Sequence, residues 1–207
     1  MERLNLLSAA LGVAALAGLN LYLTVFATGL AIHFGWIALG PQYQSLAVLA
    51  HPLVLWISGV LFVLEFFADK IPLVDSAWDA VHTIIRPIGA ALLAIQVLGH
   101  PSPTLTVSVA LLAGTTALAA HTAKATTRLA ANASPEPFSN IGLSLGQDAA
   151  IVGGLALVFH HPLLALAIIF ALLALFFYFA RRVWLAAKGR LGSLRQRFSR
   201  RAEAPSA

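Results

Sequence analysis

From Pro162 to Ala180 the chain runs 19 residues without an Asp, Glu, Lys, Arg or His. About 20 apolar residues is the length a helix needs to cross the hydrocarbon core of a bilayer. Similar runs fill most of the chain. Only 10% of its 207 residues are charged and 59% are hydrophobic, with a mean hydropathy of +0.86. A soluble domain carries about 25% charged residues, enough to cover its core. The expected class is therefore all-α, a polytopic membrane helix bundle. A soluble enzyme, a secreted scaffold and a nucleic-acid-binding domain are excluded. The absence of Cys removes disulfides, Cys-based zinc sites and thiol catalysis.

Six spans are expected. The first covers about Leu4 to Ile37, too long for one straight crossing and too short for two, with a tilt or break at Gly18-Leu19-Asn20. The second runs from Pro52 to about Phe67, the third ends near Gly99, and the fourth covers Pro103 to His121. The fifth runs from Ile141 to Phe159 and the sixth from Pro162 to Trp184. His-Pro occurs at 51–52, 100–101 and 161–162, each time ahead of an apolar run, and Pro suits a first helical turn. The expected organisation is a membrane domain over 1–184 and a basic tail over 185–207. Two units of the same plan, 51–99 and 100–160, read as parallel hairpin repeats.

The formal charge of +5 is unevenly spread. Residues 181–207 hold eight Arg/Lys and one Glu, whereas 4–180 hold six acids and four bases. By the bias of Lys and Arg toward the cytoplasm, the tail is inside, and six spans place the N-terminus inside as well. The turns holding Lys70 and Lys124/Arg128 then also lie inside, and the three His-Pro loops outside. The location expected is a cell inner membrane. The tail mixes Trp184, Leu191, Leu194 and Phe198 with basic residues, a composition suited to anionic lipid headgroups.

The third span carries the strongest functional signal. Pro87 to Gly99 is too short to cross, so the helix begins earlier and takes Asp79, His82 and Arg86 into the bilayer. Their spacing sets them on one face, which Asp75 extends, and Arg86-Pro87 is a kink point. Three further polar stripes match it: Glu65 and Asp69 in the second span, with Lys70 following; His121, Lys124 and Arg128 in the fourth; Asn140, Ser144, Gln147 and Asp148 in the fifth. Asn132 and Glu136 lie between the last two. Charges at membrane depth are costly and face a bundle interior or water, so one shared polar site is expected, its acids mainly from the first hairpin and its bases from the second.

The stretch Leu64-Glu-Phe-Phe-Ala-Asp-Lys-Ile-Pro72 with Asp75, Trp78-Asp79, His82 and Arg86-Pro87 resembles one signature of domain-of-unknown-function family 4126, an uncharacterised integral membrane family. His121-Thr-Ala-Lys124, Arg128 and Asn132-Ala-Ser-Pro-Glu-Pro-Phe-Ser-Asn140 resemble its second signature, and Gly18-Leu19-Asn20 with Tyr22 its N-terminal one. The similarity spans about residues 10–180. Gln147-Asp148 departs from the acidic pair expected in relatives. The resemblance implies a shared fold and motif positions, and no activity.

The function expected from the residues is a small transporter or channel for a cation or proton. The alternatives are an anionic-lipid-binding or translocating protein and a non-catalytic membrane scaffold; catalysis is the less favoured reading. His82 and His121, set among carboxylates, suit proton relay or cation coordination. His33, His51, His100, His160 and His161 gather toward the outer side without acids and read as polar helix ends, leaving any metal undefined. No cofactor motif is present. The expected partners are the lipid bilayer and, as one option, a second copy of the chain.

Overall fold

The computed structural model describes residues 2–37, 40–99, 101–132 and 137–202, with side-chain surroundings for all but 72, 132, 137–140, 186, 187 and 189–202. The elements are α1 (Glu2–Leu19), α2 (Leu21–His33), a 3-10 helix (Pro41–Ala50), α3 (Pro52–Ala68), α4 (Pro72–Leu98), α5 (Pro103–Asn132), α6 (Pro137–His160) and α7 (Pro162–Ala202). Among the described residues there is no strand. Five helices are long and apolar enough to cross a membrane, or six if the 3-10 helix and α3, bent by 67°, count as one span. The chain is an all-helical membrane bundle. By its internal contacts it divides into Met1–Phe170 and Ala171–Ala207. The second unit continues α7 and includes Arg181, Arg182 and the exposed Trp184.

Helix starts follow the Pro signals. Pro52, Pro72, Pro103, Pro137 and Pro162 each open a helix, because Pro lacks the N–H that a first turn leaves unpaired. His51 caps α3 by accepting the Leu53 N–H on Nδ1 at 3.2 Å. α4 starts seven residues ahead of Asp79 and continues through Pro87 to Leu98, so Asp75, Asp79, His82 and Arg86 all lie on it.

α1 is the core helix of the first unit. Its buried residues run from Ser8 to Gly18 and are mostly Ala and Gly. Small side chains let helix backbones approach closely, which is how helices pack where lipid offers no hydrophobic contrast. α1 packs on α4, α5 and α6, against Ala90, Leu93, Ala94, Val97, Val109, Ala113, Ala117, Ile151, Leu155 and Val158 of the same cluster. The opposite faces carry exposed Trp56, Leu73, Ile84, Leu92 and Leu111, as lipid-facing surfaces do. α4 lies most closely on α5, while α3 rests on α2 more than on α4. Each consecutive hairpin thus packs mainly with helices outside itself.

The long first segment breaks at Asn20, which is extended (φ −152, ψ 104) and caps α2 by accepting the Leu23 N–H on Oδ1 at 2.9 Å. The contacts on either side of the break give its course. A Cβ on Gly12 would sit 2.8 Å from Val158, one on Gly154 would sit 2.9 Å from Leu16, and one on Gly18 would sit 2.3 Å from the Ala117 carbonyl. α1 therefore descends from the His160 end of α6 to the middle of α5. Beyond the break, Leu21 meets Gly89, Phe26 meets Gly59 and Gly29 meets Leu49 and Leu55. Leu49 and Leu55 flank His51-Pro52, so α2 climbs back toward the end from which α1 came. The start of α1 and the turn at Lys70 thus lie at opposite ends of the first unit, where counting spans places them on one side. The count treats Leu4–Ile37 as one crossing, whereas the packing of α1 and α2 turns the chain back at Asn20. Asn20→Ala is expected to cost about 1 kcal/mol through loss of this cap, read as a lower melting temperature of the purified protein.

Candidate polar site

Three helices supply the site, each through the 3–4 residue spacing that keeps side chains on one face. α3 contributes Glu65 and Asp69, α4 contributes Asp75, Asp79, His82 and Arg86, and α5 contributes His121, Lys124 and Arg128. All nine are buried. Six ion pairs join seven of them into one chain of alternating sign. From Asp79 the chain passes to Arg86 (3.3 Å), to Glu65 (2.6 Å) and to Lys124 (3.1 Å). It continues to Asp69 (3.3 Å), Arg128 (2.7 Å) and Asp75 (3.3 Å). Arg128 also donates to the Asp69 carbonyl at 2.5 Å. An isolated charge at this depth is prohibitive, and alternation lets each ion offset the desolvation of its neighbours. Among the described residues the chain holds four carboxylates and three cations, a formal charge of −1.

The two His residues flank the chain. His121 Nδ1 faces the Arg86 guanidinium at 2.5 Å. Guanidinium only donates, so Nδ1 is the acceptor and the proton sits on Nε2. That N–H meets Thr83 Oγ1 at 3.0 Å and the Asp79 carbonyl at 3.1 Å, while Thr83 donates its hydroxyl to the same carbonyl. His121 is thus a neutral spacer between Arg86 and α4. His82 donates Nδ1–H to the Trp78 carbonyl at 2.8 Å and stacks on the Trp78 ring. Its Nε2 is left to accept the Tyr22 hydroxyl of α2 at 3.1 Å.

Among the described residues, several buried polar atoms have no hydrogen-bond partner: Glu65 Oε2, Arg86 Nε, Arg128 Nε, Asn20 Nδ2, Ser144 Oγ, Gln147 Oε1 and Asp148 Oδ2. Native interiors keep such atoms few, and clusters of them mark sites of functional strain or exchange. A cleft of about 200 Å³ opens between α4 and α5, lined by Asp75, Ser76, Asp79, Thr83 and Arg128 with apolar Ala80, Ala125 and Leu129. Two members of the ion-pair chain, Asp75 and Asp79, line it. It lies toward the Pro72 end of α4 and the Asn132 end of α5.

Two of the residues expected at the site lie beside the chain without joining its ion pairs, Asp148 within electrostatic reach of Asp69, Lys124 and Glu65. Lys70 points back, donating to the Phe66 carbonyl at 2.8 Å with its ammonium over the Phe66 ring. Burial lowers its pKa, opposed by the charges of Asp148 and Asp69. Asp148, on α6, forms none of the six ion pairs. Glu136 and the side chains of Asn132 and Asn140 lie outside the described residues. Arg86 also departs from the expected division, since it is a base of the first hairpin and pairs within it. Sequence reasoning missed Thr83, Tyr22 and Asn20 as site members. Thr83 sits one helical turn after Asp79, and Tyr22 is the polar residue two positions past the break. Among the described residues no group of three or more His, Asp or Glu is placed to hold a metal ion. His51 and His160 bond within their own helix ends, as polar caps do.

The family described as Domain of unknown function (DUF4126) matches residues 7–182. The chain belongs to this family. The match takes in α1 from residue 7, α2 to α6 and the apolar part of α7, so all seven members of the ion-pair chain fall inside the DUF4126 region. No curated protein and no solved structure matches the chain.

Proposed function

We propose that this DUF4126 protein is a small membrane transporter or channel for a monovalent cation or proton, with the Asp75/Asp79 cleft as its binding site. The observation that carries the reading is the charge balance of the buried chain. Among the described residues, four carboxylates stand against three cations in the chain, and Asp148 and Lys70 beside it add one charge of each sign, an acid excess in a low-dielectric interior where charge is expensive. One proton or one monovalent cation in the cleft neutralises the chain, whereas a divalent ion would overshoot. Asp79 is the favoured exchanging group, because it both ends the chain and lines the cleft with the hydroxyl of Thr83. The turn at that end of the first unit holds Lys70, whereas the His-Pro loops hold no Lys or Arg, which supports a cytoplasmic location for the cleft.

The test is flux in liposomes. The wild-type protein is expected to show pH-dependent cation or proton flux, and Asp79→Asn to lower it to the background of empty vesicles while the melting curve stays cooperative. Flux equal to empty vesicles across cations and pH gradients, with folded protein, removes the reading. An anionic-lipid function would instead give no flux, co-purified anionic lipid, and the greatest sensitivity at Lys124 or Arg128.

A further inference from the structure

α1 and α2 approach the polar site from the side opposite the Asp75/Asp79 cleft. The chain descends along α1, turns at Asn20 and returns along α2, which ends beside Pro52. Leu21, next to the turn, meets Gly89 of α4. At 1.5 Å per residue that is roughly 14 Å short of the α4 end at Leu98. Non-helical backbone at membrane depth persists only where protein buries it or where it lines a cavity. Here it is buried. Asn20 is 2% exposed and Thr24 0%. Asn20 Nδ2 lacks a partner, and Thr24 and Thr28 return their hydroxyls to carbonyls one turn back, at 2.7 Å each.

The tip is tied to the charged site by one side-chain hydrogen bond among the described residues, from the Tyr22 hydroxyl to His82 Nε2. The two rings also meet edge to face, 5.4 Å apart. Charged groups of three helices act on His82: Glu65 of α3, Arg86 of its own α4 and Lys124 of α5. Beyond Tyr22, a groove of about 540 Å³ runs between α2, α3 and α4 toward Leu49 and Gln96. Leu21 and Tyr22 at the tip line that groove, and the Tyr22 hydroxyl reaches His82 of the charged site.

We infer that α1 and α2 form a re-entrant hairpin, inserted from the membrane side opposite the Asp75/Asp79 cleft, and that its tip is the gate closing the charged site on that side, latched by the Tyr22–His82 hydrogen bond. The gate deepens the transport reading, since a site open through the cleft and shut at the tip is one state of an alternating path. The hairpin places Glu2 and the Lys70 turn on opposite sides of the membrane.

The chain has no Cys, so single-Cys variants can be labelled without background. In sealed vesicles of known orientation, a membrane-impermeant maleimide is expected to label Glu2→Cys and Ile71→Cys from opposite sides. Labelling of both from one side overturns the hairpin. Thr83→Cys, in the cleft, is expected to react from the Ile71 side and to be protected from the Glu2 side. Adding Tyr22→Phe, which keeps the ring and removes the hydroxyl, is expected to speed reaction from the Glu2 side by about tenfold. His82→Phe should do the same from the α4 partner, with cooperative melting confirming the fold of each variant. Unchanged protection in both variants overturns the latch. These readouts need no flux. A wild-type protein that moves no cation but labels as described loses the transport reading and keeps the gate.

Discussion

Arg86→Met is expected to destabilise the protein by about 3–5 kcal/mol, the cost of leaving buried charges without their partner. Arg86 is 0% exposed and holds Glu65 and Asp79 while donating to His121. Its loss takes the chain from −1 to −2, strips one end carboxylate of its neighbour and leaves Glu65 to Lys124 alone. Domains have only about 5–15 kcal/mol in total, so a large drop in melting temperature in detergent is the expected readout. Adding Glu65→Gln to Arg86→Met should recover part of the loss, because the second change removes one of the charges the first exposes. An Arg86→Met protein melting with wild type would show that the cluster is solvated and that its alternation carries no energy.

The second large effect is steric. A Cβ at Gly18 would lie 2.3 Å from the Ala117 carbonyl oxygen and 2.7 Å from its Cα. Both are backbone atoms and cannot swing aside, so the helices must separate. Gly18→Val should therefore cost about 3 kcal/mol or more, the upper range for overpacking, and should disturb the tip at Asn20 two residues on. Gly89→Ala is the control. Its Cβ would meet the Leu21 side chain at 2.4 Å, a flexible end that can rotate, and about 1 kcal/mol is expected. Gly153→Ala meets nothing within 4 Å and should be neutral or better. Equal melting of Gly18→Val and Gly153→Ala would sink the close α1–α5 packing.

The clustering of the site's charges is largely legible in the sequence. The short distance from Pro87 to Gly99 forces Asp79, His82 and Arg86 onto a membrane-depth helix, and the 3–4 residue spacing on α3 and α5 sets Glu65/Asp69 and His121/Lys124/Arg128 on single faces. A charge at that depth must find a partner of opposite sign, so the meeting of these stripes follows from charge and length. Spacing could not assign the pairs. Arg86 joins acids of its own hairpin because Glu65 and Asp79 reach it first. Lys70, in the turn after α3, folds onto Phe66 instead of entering the chain. Tyr22 and Thr83 carry no charge and so gave no length or sign signal, although both hydrogen-bond the site's His residues.

What the sequence determined by itself is the membrane class, the helix starts and the residues that had to be buried together, since each follows from local quantities: apolar run length, Pro geometry, helical period and the cost of a buried charge. Only the tertiary structure decided the path of the first 33 residues. A broken apolar segment from Leu4 to Ile37 is equally consistent with a tilted crossing and with a hairpin, because Asn20 supplies the same break and the same cap in either. The choice was made by small residues at a distance. Gly12 and Leu16 fit Val158 and Gly154, and Gly18 fits the Ala117 backbone, which draws α1 into the centre of α4, α5 and α6. Gly29 and Gly59 then receive Leu49 and Phe26, which turns α2 back along α3. Such contacts join positions up to about 150 residues apart, and the local pattern that decides burial and helix formation contains no term for them.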